Sequence, residues 1–310
     1  MFSDRLLASI KRSQSVIVAG FDPRIERIPE VFIKEGERKG ASTEEQAYWI
    51  LTDFHIFALH TLSGSIAAIK PNIAFYEQFG IGGLKAFRDI CLEASQMGIP
   101  VIADVKRGDI GSTAESYSRA FLGKTTLNGT SFRAFCADAI TVSPFLGLDT
   151  LKAFLSDCIE YEKGLFVLVQ TSNQGAKDIQ AATDVEGITV SKKIAYWIRE
   201  NASALVGENG ISGLGAVVGA TYPTEAVALR SIMENSFFLI PGLGAQGATA
   251  KDAVAGFGTD SNGSRFGGVI NISRGLLGSF SSTQIDKETA KRELINKAQN
   301  FNAQINEALR

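Results

Sequence analysis

A single (β/α)8 barrel is the fold class this sequence predicts, and three observations predict it. Eight short apolar runs recur along the chain, helical patterns separate them, and the runs are apolar throughout instead of alternating. Unbroken apolar character suits strands buried on both faces, as in a parallel sheet. Eight βα units with right-handed crossovers close most simply into a barrel, an open doubly wound sheet being the alternative. The 310 residues would fill two average domains, yet barrels commonly run to about 250 residues or more as one. One catalytic domain over 1–310 is therefore expected.

Taken in order, residues 1–15 carry Asp4, Arg5, Lys11 and Arg12 among short apolar runs. They read as an N-terminal amphipathic helix and not as a signal peptide. The eight strand runs fall at 15–21, 65–69, 99–103, 139–142, 165–169, 214–218, 237–240 and 269–272. Between the first two, Ser42 with Glu45 and Thr43 with Gln46 form overlapping capping boxes. Ala47, Ile50, Leu51, Phe54, Phe57 and Ala58 then keep helical spacing. Ser112 with Glu115 predicts another helix start, and Thr221, Pro223 and Glu225 a third. Stretches 23–40 and 178–213 exceed ordinary loop length and read as insertions after strands one and five. The second has a helical pattern of its own around 194–198.

Composition narrows the partners. Lys+Arg number 31 against 33 Asp+Glu, so neither nucleic acid nor a membrane surface is an expected partner, since both call for a basic excess. No apolar stretch approaches the roughly 18 residues of a membrane span. Cys91, Cys136 and Cys158 are too few for a disulfide framework or a thiolate zinc site, which suits a reducing cytoplasm. Glycine is in excess, 31 of 310 residues, against an average of about 7%.

Barrel enzymes carry their chemistry at the C-terminal ends of the strands. There this sequence places Asp22, Lys70-Pro71-Asn72, Asp104 to Asp109, Thr171-Ser172-Asn173, residues 241–247 and Ser273-Arg274-Gly275. Charges beside buried strands are costly unless paired. A lone Asp or Lys there is more often a salt bridge, but the lysines and aspartates together point to a site. Asp104 and Lys106 are two apart, so on an extended backbone both side chains point the same way. Asp109 follows at the turn into a helix capped by Ser112. Alternating Lys and Asp keeps lysines protonated while setting carboxylates against a substrate anion. After strand seven, Gly242, Gly244 and Gly247 surround Gln246, and Arg274 follows strand eight. Glycine lets backbone amides approach a phosphate, and Arg274 supplies a bidentate clamp. His55 and His60, five apart on a flanking helix, read as structural, and no metal site is expected.

The motifs AGFDPR (19–24), KPNIAFYEQFG (70–80), DVKRGDIGSTA (104–114), VSPF (142–145), LVQTSNQG (168–175), VVGAT (217–221), PGLGAQG (241–247) and NISRG (271–275) carry a resemblance. Together they resemble the orotidine 5′-phosphate decarboxylase family in its longer, type 2 branch. Phe21 and Ile272 stand where that pattern has Leu and Ser. The resemblance implies decarboxylation of orotidine 5′-monophosphate (OMP) to UMP by a homodimer, with neither metal nor organic cofactor. It implies Lys106 as the proton donor to C6, in a network with Lys70, Asp104 and an Asp109 contributed across the dimer interface. It further implies Asp22 and a cross-interface Thr113 at the ribose, Ser172 at the pyrimidine, and Gln246 and Arg274 at the phosphate. Asn72, Gly244 and Gly247 complete the implied substrate contacts. Rivals are a metal-dependent sugar-phosphate decarboxylase or synthase, a Schiff-base aldolase using Lys70 or Lys106, and a non-catalytic nucleotide binder. Lys70-Pro71-Asn72 with Ser172 argues against the first, and the complete Lys/Asp set against the last.

Overall fold

The structure, a computed structural model, describes residues 1–244, 247–260 and 263–310. Its central sheet has eight strands: Ile17–Phe21, Ala68–Pro71, Ile102–Arg107, Ala139–Val142, Gly164–Gln170, Ser212–Val218, Ser236–Pro241 and Gly268–Ile272. All the pairings are parallel, and strand eight pairs with strand one. Strands two and three meet through the bridges Ile69↔Val101 and Asn72↔Asp104, which close the ring. The strands match the eight apolar runs one for one. Every residue of strands one, two, four and six is buried, which is why those runs do not alternate.

The helix Phe2–Ser13 buries Phe2 and Leu6. Phe2 occupies space left by Gly164 at the start of strand five, where a Cβ would lie 2.3 Å from its ring. The same ring meets Phe166 edge-on at 6.1 Å. The helix thus packs at the N-terminal mouth of the barrel, and the chemistry is left to the other mouth.

The helix Thr43–Leu62 starts as expected, with the Glu45 amide donating to the Ser42 hydroxyl at 3.2 Å. The Glu45 carboxylate accepts from the Ala41 amide, one residue before the cap. Gln46 instead donates to the carbonyls of Glu37 and Gly40, so the second capping box is not used. The Ser112 cap does not form. That helix, Gly111–Phe121, has Ile110 at its N-cap, two residues earlier, which puts Ser112 inside the first turn, where its hydroxyl cannot act as N-cap.

Residues 23–40 hold a 3-10 turn, Ile25–Arg27, and a helix, Glu30–Lys39, seated where Gly36 meets Ile50. The second long stretch is only partly an insertion. Val190–Asn201 buries Ile194, Ala195 and Ile198 and serves as the helix of the fifth βα unit. The added part is the segment before it, with the short helix Ala176–Gln180 and the bridge Thr183↔Thr189.

Candidate active site

Three neighbouring strand ends build one charged array. The Asp104 carboxylate accepts from Lys70 Nζ (2.6 Å, on Oδ2), Lys106 Nζ (2.5 Å, on Oδ1) and the Thr141 hydroxyl (2.8 Å, on Oδ1). Burial disfavours the Asp104 charge, but the two ammonium groups outweigh it and hold the carboxyl well below the usual range. Burial likewise opposes the Lys70 charge, and Asp104 and Asp22 reverse that effect, raising Lys70 above an ordinary lysine. Lys70 and Asp104 are buried, whereas the Lys106 side chain is 49% exposed.

Asp104 and Lys106 converge by a different route from the extended backbone predicted for them. Lys106 has φ 43°, in the left-handed region. Strand three pairs Ala103 with Ile140 and next Arg107 with Val142, so four residues are set against two. This bulge re-aims the chain at the site, and the long Lys106 side chain returns to Asp104. The unladdered Lys106 amide donates to the Thr141 hydroxyl at 3.0 Å. Thr141 escaped the sequence reading. Its only signal was a hydroxyl within the buried run AITV.

A two-lobed cleft opens over the array. One lobe, about 390 Å³, is lined by Lys106, Thr141 and Ser172 above the apolar Leu168, Val217 and Leu239. The other, about 420 Å³, is lined by Asp22, Arg24, Asn72, Gly242, Asn271 and Arg274. Both lobes share Lys70, Asp104 and Pro241. Asp22 Oδ1 and Asn271 Oδ1 are buried without a hydrogen-bond partner. Buried acceptors of this kind are normally satisfied, so a ligand bearing hydroxyl groups fits this wall. Gly20 allows strand one to approach the loop after strand eight, because a Cβ there would lie 1.8 Å from the Ser273 hydroxyl oxygen. Arg24 and Asn271 are further lining residues that the sequence reading did not select.

Seven predicted residues meet at this cleft: Asp22, Lys70, Asn72, Asp104, Lys106, Ser172 and Arg274. Asp109 and Thr113 do not line it. Asp109 Oδ1 accepts from the Ile110 amide at 2.8 Å, and Thr113 is exposed in the first turn of the following helix. Gly244 and Gly247 have φ 71° and 88° in an exposed turn. Their amides donate within that turn, to the carbonyls of Ala248 and Gly244, so neither amide points to the cleft here. Gln246 lies outside the described residues. His55 is structural as expected: it is buried among Phe21, Phe54 and Tyr76, with Nδ1 2.7 Å from the Leu51 carbonyl oxygen. His60 lies 2.8 Å from Glu93.

A closed α/β barrel with a Lys–Asp–Lys array at its strand ends, beneath a cleft lined by further arginines, defines a barrel enzyme suited to an anionic substrate. The sequence comparisons agree. Residues 53–284 match the Orotidine 5'-phosphate decarboxylase / HUMPS family, and the chain belongs to that family. It is 40% identical over 276 residues to orotidine 5'-phosphate decarboxylase of Caldicellulosiruptor bescii, covering 89% of each chain. With the Clostridium tetani protein of the same name it shares 36% identity over 292 residues, covering 94% of this chain and 93% of the other. The solved OMP decarboxylase of Leishmania donovani superposes with a TM-score of 0.66 at 30% identity, over 97% of this chain and 99% of that one.

Proposed function

We propose that this chain converts OMP to UMP and carbon dioxide, as a cytoplasmic carboxy-lyase whose catalytic unit is the single barrel of residues 1–310. The observation that carries the reading is Asp104 held between Lys70 and Lys106, with Lys106 the most exposed of the three. Breaking the bond from C6 to the carboxylate leaves its electron pair on a ring carbon with little resonance relief. An ammonium fixed beside that carbon stabilises the developing charge and then transfers a proton to it. In this reading Lys106 Nζ donates the proton to C6 and is reprotonated from water. No step calls for a metal or an organic cofactor.

The lobes divide the nucleotide. Ser172 and the apolar floor take the pyrimidine, Asp22 and Asn72 the ribose, and Arg274 the phosphate; Gln246, outside the described residues, is proposed as a further phosphate ligand from the family motif alone. Phosphate binding so far from the reacting carbon supplies energy for orientation. Asp109 and Thr113 act from the partner subunit of a homodimer, a reading supported by their position away from the cleft of their own chain.

The test is to add OMP to the purified protein in the presence of a chelator and follow the ultraviolet change to UMP. Undiminished OMP would sink the reading. Turnover of a sugar phosphate only with added divalent metal would move the chain to the other branch of its family.

A further inference from the structure

We propose that Thr141 is a positioning residue that sets the backbone and the ammonium of Lys106 against Asp104, a role that rests on the decarboxylase reading above. Its side chain is 2% exposed and lies on strand four, opposite the bulge in strand three. The hydroxyl accepts from the Lys106 amide at 3.0 Å and donates to Asp104 Oδ1 at 2.8 Å. Lys106 Nζ reaches that same Oδ1 at 2.5 Å. Both ends of Lys106 are therefore tied to one carboxylate oxygen, the amide through Thr141 and the amine directly.

This ring answers two difficulties at once. Lys106 adopts φ 43°, a conformation that L residues with side chains rarely hold without support from their surroundings. The bulge also takes the Lys106 amide off the backbone ladder between strands three and four, and even a partly buried amide is costly to leave without an acceptor. The Thr141 hydroxyl supplies that acceptor. Because a hydroxyl has one proton to give and lone pairs to receive, accepting from the amide directs its own proton to Asp104. A methyl group of the same size could do neither. Val142, the next residue, is apolar and fully buried, so no neighbour on the strand can take over the role.

The experiment compares Thr141→Val with Thr141→Ser in OMP turnover and in hydrogen exchange of the Lys106 amide. Loss of the Thr141 hydroxyl releases the Lys106 backbone, which misplaces the amine for proton transfer and leaves the phosphate and ribose contacts in place. The expected result for Thr141→Val is a kcat roughly 10- to 100-fold lower, with KM within about threefold. Thr141→Ser should restore kcat to within about threefold, because it keeps the hydroxyl. Lys106 amide exchange should be at least about tenfold faster in the Val variant than in the Ser variant. If Thr141→Val does not fold, Thr141→Ala carries the same expectations. A kcat unchanged by loss of the hydroxyl, or lowered equally in the Ser variant, would overturn the proposal. So would unchanged exchange at Lys106. A wild-type chain inert toward OMP would instead overturn the functional reading, and the exchange measurement would still decide whether Thr141 holds Lys106.

Discussion

Lys70 Nζ lies 2.6 Å from Asp104 Oδ2 with both side chains less than a tenth exposed, whereas Lys106 takes the other carboxylate oxygen from the open side of the cleft. The two lysines therefore differ in what they contribute. Lys70 holds the buried carboxylate at the floor of the cleft, and Lys106 is the lysine proposed to move the proton.

Lys70→Met should destabilise the protein by about 3–5 kcal/mol, because it removes one of the two cations that compensate a buried carboxylate. Lys106→Met, with that side chain half open to solvent, should cost about 1 kcal/mol or less. Urea unfolding near neutral pH measures both. The Asp104 carboxyl is lowered on folding, so its contribution is present above the ordinary carboxylate value and lost only as pH falls through the lower folded one. Lys70 is raised, so its contribution is present below its ordinary value and lost only as pH rises through the higher folded one. The difference between wild type and Lys70→Met should therefore stay flat across the neutral range.

Lys106→Ala should abolish OMP turnover while UMP still binds measurably in calorimetry. In the proposed reading the phosphate, ribose and ring contacts lie on other residues, and near-normal decarboxylation by this variant would remove Lys106 as the proton donor.

Asp109→Ala should be as inactive as Lys106→Ala if Asp109 serves the partner's site. Mixing the two inactive variants under conditions that exchange subunits should then recover activity. In a mixed dimer one site carries both lesions and the other carries neither. An inert mixture from two folded, exchanging variants would place Asp109 in the site of its own chain.

Arg274→Ala should raise the KM for OMP by roughly 100-fold, in line with about 1.5–3 kcal/mol for a hydrogen bond to a charged group. An unaltered KM in steady-state assays would exclude Arg274 from the phosphate lobe.

Burial lowers His55 from 6.5 to about 4. The unfolded chain thus binds a proton that the folded one refuses, and stability present above about pH 6.5 is lost as pH falls toward 4. The largest loss from this group is roughly 3 kcal/mol. His55→Leu should reduce the drop in urea midpoint between about pH 7.5 and about pH 4.5. An equal drop in the variant would show that other groups carry the acid sensitivity.

Barrel, strand count and most of the cleft were legible in the chain itself. Doubly buried strands leave unbroken apolar runs, and charged residues at their C-terminal ends have few uses in a barrel besides chemistry. On that basis Asp22, Lys70, Asp104, Lys106 and Arg274 stand out in the sequence, and the family resemblance adds Asn72 and Ser172. Local pattern was less reliable where a single residue decided the outcome. Ser112 looks like a helix cap, yet the cap position falls two residues earlier, at Ile110.

By itself the sequence determined which residues could carry charge and at which end of the barrel they would stand. Only the tertiary structure decided how Lys106 reaches Asp104. The bulge depends on the register of strand three against strand four, and the acceptor for the freed amide comes from Thr141, 35 residues further along the chain. Register and cross-strand hydrogen bonds are relations between distant segments, and no local pattern encodes them.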